Sequence, residues 1–133
     1  MERDGFRKAM KKIINRKDQD SALAQWRGAR AQFWIYDVSL KRMAIRLYRP
    51  DAKEVIYVTA IGCEHIVGPF AWEGADVSIE IDPVGAEHPK TCRVIDKHAG
   101  FELLCSDARV VRGPSTDFEK TFEKFLGETS EIE

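Results

Sequence analysis

Few residues in this chain have the means to do chemistry, and their spacing limits what each set could do. Cys63 and His65 stand two apart, as do Asp96 and His98, and Cys92 shares the parity of His98. Residues two apart on a strand leave the same face. Zinc needs three or four donors converging at about 2.0–2.3 Å, and Cys63, His65 and His98 are the set that strands would bring together. The closely spaced cysteine pairs that mark a zinc site are missing, so no metal is expected. The three cysteines, an odd number, read as small buried hydrophobes of a reducing compartment. Asp96 beside His98 would orient an imidazole as general base for Ser106 or Cys105. The chain has neither a GxSxG elbow nor a glycine-rich turn feeding a helix, so an oxyanion hole has no source. Glu80 and Asp82 share one polar strand face, whereas a glycosidase pair faces across a cleft. Neither GxxxxGK[ST] nor GxGxxG occurs. No catalytic residue and no cofactor are expected.

Recognition chemistry remains. Phe70 and Trp72 lie in a loop bracketed by Gly68 and Gly74 and are expected to anchor a partner, or else to tuck under the loop and plug one end of a sheet. The net charge of −1 conceals an asymmetry: residues 1–31 carry nine Lys/Arg against four Asp/Glu, and the remainder is acidic. Lys8, Lys11 and Lys12 would lie on the polar circumference of a first helix, a face suited to a protein partner or a second copy of the chain. Nucleic acid and lipid are not expected, because the whole chain is not basic and no aromatics alternate with the lysines. The expected function is therefore a non-enzymatic intracellular module that recognises a protein. The alternative is a small enzyme or ligand-binding protein whose pocket, in a curved sheet, draws on His65, Arg93, Asp96 and His98.

The elements that must position these groups follow from periodicity. With 133 residues the chain suits one domain with one core. The longest uncharged apolar run, residues 55–61, is too short to span a membrane, and the charged N-terminus carries no export signal, so a cytoplasmic address is expected. Phe6, Met10, Ile13 and Ile14 form a helical stripe. A polar run follows over 15–20. A second helix over 22–31, capped by Asp20 or Ser21, would pack through Leu23 and Trp26.

From Phe33 the period becomes two. Met43, Ile45 and Leu47 alternate inward, and the run from Val55 to Ile61 must be covered on both faces at the middle of a sheet. Gly62 marks a bulge or a break. Val77, Ile79 and Ile81 alternate again, and residues 91–97 and 101–105 form a hairpin about Gly100. Thr116 and Glu119 make a capping box for a last helix over 115–126, with Phe118, Phe122, Phe125 and Leu126 as its stripe.

The expected class is α+β: a single domain with about six mainly antiparallel strands, in a curved sheet or partly open barrel, flanked by N-terminal and C-terminal helices. Residues 1–31 would be a basic helical segment of that domain, and residues 32–133 its β body with the closing helix. An exposed edge strand would allow two copies to pair.

Overall fold

The computed structural model describes residues 11–82 and 91–114. Ten strands and one helix follow in order: β1 (Lys11–Ile13), α1 (Arg16–Gln25), β2 (Arg30–Asp37), β3 (Arg42–Tyr48), β4 (Glu54–Ile61), β5 (His65–Val67), β6 (Ala71–Trp72), β7 (Ser78–Asp82), β8 (Thr91–Asp96), β9 (Phe101–Cys105) and β10 (Asp107–Pro114). They form a six-stranded sheet ordered β1-β10-β4-β3-β2-β6 and a four-stranded sheet ordered β5-β9-β8-β7, with every pairing antiparallel.

This overturns the expected α+β class. The described residues are mostly β with one helix and two sheets, rather than one sheet flanked by helices. The helical stripe ending at Ile13 and Ile14 gives way to a strand: Lys11 pairs with Arg112 and Ile13 with Val110. Three residues of local preference are a weak prior against the open backbone edge of β10. The helix expected over 115–126 lies outside the described residues, as does the start of the first one. The second helix is real but begins earlier. Asn15, rather than Asp20 or Ser21, is its N-cap, its side chain accepting from the backbone N–H groups of Lys17 and Asp18. The polar run over 16–20 is thus the helix's first turn. Leu23 and Trp26 are buried, as their spacing requires.

β4 lies inside the six-stranded sheet, between β10 and β3, and all six residues from Val55 to Ala60 are buried. Ile56, Val58 and Ala60 enter the main core between the sheets. Val55 and Tyr57 join a second cluster on the sheet's outer face, with Ala44 and Val111. On that face the Arg46 guanidinium stacks on Trp34 and Tyr48, 4.2 and 4.5 Å from the ring centroids.

The two sheets are one bent ribbon at their centre. β4 runs into β5 through Gly62, and its partner β10 continues from β9 through Ser106, so both strands change sheets side by side. Ser106 N–H donates to Ile61 O at 2.9 Å across this corner. Gly62 has φ +64, and a Cβ there would run into the Ser106 side chain. Only glycine satisfies both conditions.

The bend leaves two seams between the sheets. One is closed by α1, which packs against β1, β10 and β7. Arg16 donates to the carbonyl of Ile79 on β7, and buried Gln19 donates to the carbonyls of Ile13 and Ile14 at the end of β1. The other seam, between β2 and β5, is closed only at one end.

Candidate functional site: the open seam

The closed end of that seam is built around Asp96. Its side chain is 1% exposed and accepts from Trp72 Nε1 (2.7 Å), the Asp76 backbone N–H (2.8 Å) and the Ala99 backbone N–H (3.4 Å). A buried carboxylate is tolerated when such donors replace its water. The Trp72 ring also stacks on Phe101, with centroids 4.9 Å apart. Two residues of β6 pair with β2, so Trp72 bridges the sheets: its backbone belongs to one and its ring to the other. Gly68 allows the close approach, since a Cβ there would lie 2.8 Å from Phe101 Cα.

Phe70 does the opposite. Its carbonyl accepts from the Phe33 N–H at 2.6 Å and its ring meets Phe33 edge-on at 5.6 Å, yet the side chain is 77% exposed. Beyond it the seam opens into a cleft of about 440 Å³. Phe33 and Tyr36 of β2, Met43 of β3 and Leu103 of β9 supply apolar wall, Phe70 stands at the mouth, and Cys63, Glu64, His65 and Ile66 form the opposite side. The cleft is flanked by two strand edges. β5 is the edge of its sheet, and among the described residues no strand pairs with the outer edge of β2 beyond Gln32.

Burial, and secondarily the charge of Glu64, push the Cys63 thiol up to about 11, so it is protonated at neutral pH. Cys105 stands directly opposite Cys92 in the β8–β9 register and donates to the Cys92 carbonyl at 3.6 Å. Its thiol is held protonated by its hydrogen bond with Cys92 and by burial. On the β2–β3 turn, Asp37 is drawn below the usual carboxylate range by its hydrogen bonds with Arg42 and then Ser39, a tie that fixes the turn rather than activating a group.

The residues singled out by sequence are distributed unevenly. Phe70 and His65 border the cleft, while Trp72 is half-buried behind it. Of the four proposed pocket residues, only His65 lines the cleft. Asp96 points into the core, Arg93 leaves the other face of β8 and lies 3.9 Å from Glu102, and His98 is exposed in the β8–β9 turn. No three His, Cys, Asp or Glu side chains among the described residues are gathered to hold a metal ion, Cys63, His65 and His98 included. Lys8 lies outside the described residues. Lys11 and Lys12 stand on β1 rather than on a helix. Periodicity missed Tyr36, Met43 and Ile66 as cleft residues, because alternation predicts a face but not where two sheets part. Gly62 was the available signal.

No family model, curated protein or solved structure matches the chain. Among the described residues, no helix is long and apolar enough to cross a membrane.

Proposed function

We propose that this protein is a non-enzymatic recognition module that holds an extended segment of a partner protein along the open seam. One observation carries the reading. Of the nine large apolar side chains exposed among the described residues, three line the cleft, Tyr36, Ile66 and Phe70, and three more lie on the elements beside it, Val38, Leu40 and Val67. Val38 and Leu40 lie on the β2–β3 turn, which abuts the cleft through the Cys63 N–H to Lys41 O bond of 2.9 Å. Single exposed apolar residues are ordinary, whereas a gathered set marks a surface built to be covered. The flanking strand edges favour an extended occupant, which would pair its backbone with β5 and place alternate apolar side chains in the cleft. The protonated thiol supports binding over nucleophilic catalysis at the cleft. A cytoplasmic setting fits three free cysteines, two of them directly opposed yet unbridged.

Selection from a displayed library of extended peptides tests the reading. Enriched peptides should carry apolar residues at alternate positions. Their affinity should fall about tenfold or more in Phe70→Ala and Ile66→Lys, with thermal stability close to that of the parent. Peptides that bind equally well to both variants would remove the seam from consideration.

A further inference from the structure

We infer that the cavity between β1, the start of α1 and the start of β10 binds a small phosphorylated molecule that also carries a planar ring able to stack on apolar side chains. No residue lines both this cavity and the seam cleft, so the inference stands apart from peptide recognition. The cavity is about 380 Å³, the size of a small-ligand site rather than a nucleic-acid groove.

Three cations from three elements line it, Lys12 of β1, Arg16 of α1 and Arg109 of β10, against one carboxylate, Asp107. The ion pairs of Arg109 and Arg16 are loose. Arg109 Nε lies 3.6 Å from Asp107 Oδ2, and Arg16 Nε lies 3.5 Å from Asp20 Oδ1, all on side chains at least one-third exposed. Exposed pairs of this kind yield readily to a better anion, and each guanidinium retains donors suited to phosphate oxygens. Arg16 is held in place by its bond to the Ile79 carbonyl, which fixes its guanidinium at the wall of the cavity.

Two isoleucines give the cavity an apolar wall. Ile14 is 72% exposed and Ile81 37% exposed, and both border the cavity beside the cations. An inorganic anion has no use for them. A ring stacked over Ile14 and Ile81, with its phosphates reaching Arg109, Arg16 and Lys12, would engage both the apolar wall and the cations.

Isothermal titration calorimetry on the full chain at low ionic strength tests this, with ATP as probe against inorganic triphosphate and adenosine. ATP should bind at least about fivefold more tightly than either comparison ligand, and added salt should weaken it. Arg109→Ala should weaken ATP about tenfold, and Asp107→Asn should tighten it about threefold by removing the competing carboxylate. Ile14→Ser should weaken ATP but leave triphosphate unchanged. Thermal melts confirm that each variant is folded, and Arg109→Lys replaces Arg109→Ala if the latter is not. The inference is overturned if ATP fails to bind at millimolar concentration, if the charge variants leave its affinity unchanged, or if triphosphate binds as tightly as ATP.

Discussion

The Cys63 thiol borders the cleft yet is protonated, because burial and then the neighbouring Glu64 carboxylate disfavour the thiolate. Alkylation of Cys63 by iodoacetamide should therefore be slow at pH 8 and rise with a midpoint near 11, and Glu64→Gln should lower that midpoint. A midpoint at the ordinary thiol value in the parent protein would contradict this. The linkage has a definite sign. A thiol raised on folding stabilises the native state fully below its unfolded value, and that contribution is lost as pH rises through about 11. Phe70 and Trp72, two residues apart, divide by role. Trp72→Ala removes the stack on Phe101 and one of the donors to buried Asp96, and should cost about 2–4 kcal/mol in urea unfolding. Asp96→Ala should cost about 3 kcal/mol, since it strands three N–H groups. Phe70→Ala, on a side chain that is mostly exposed, should cost less than about 1 kcal/mol. The reverse order of stabilities would place Phe70 in the core and remove it from recognition.

At the scale of elements, the corner at Gly62 decides where the ribbon turns. Gly62 and Gly74 have nearly the same φ, +64 and +66, but a Cβ at Gly62 meets Ser106 whereas at Gly74 it meets nothing within 4 Å. Gly74→Ala should cost about 1 kcal/mol for the backbone conformation alone, and Gly62→Ala about 2–4 kcal/mol because the clash is added. Equal melting temperatures for the two variants would refute the packing account of the corner. Much of this level was legible in the letters. The unbroken run at Val55 to Ala60 announced a strand covered on both faces, and Met43, Ile45 and Leu47 announced an inward face. α1 was misplaced because its first turn has no apolar face: it is held by a cap, by Arg16 on Ile79 and by Gln19 on the end of β1. The Asn15 cap was a local signal that the missing apolar face obscured, whereas the Arg16–Ile79 contact crosses sixty-three positions of sequence and leaves no local trace. The division into two sheets was hidden for the same reason, since alternation is identical in either sheet.

At the scale of the molecule, the two seams make opposite use of one architecture. Helix α1 fills the gap between β1 and β7, and a single tryptophan closes the far end of the other, leaving the cleft open. Phe33, Tyr36 and Phe70 were readable as aromatics on strands and a loop. That they converge required the register of β2 and the turn at Gly68, neither of which periodicity reports. Refolding followed by tryptophan fluorescence should be slower than about one millisecond, as non-local β topologies are, and a microsecond phase that recovers the full signal would count against this strand order.

The pairing of Lys11 with Arg112 has a consequence for synthesis. At roughly 5–20 residues per second, the ribosome delivers the partner of β1 many seconds after β1 itself has left the tunnel. Until then β4 also waits for β10, while the meander of β2, β3 and β4 has neighbours enough to assemble. Between the emergence of β1 and that of β10 the nascent chain thus holds an unfinished sheet, and it is the late arrival of one strand that joins β1 to β4.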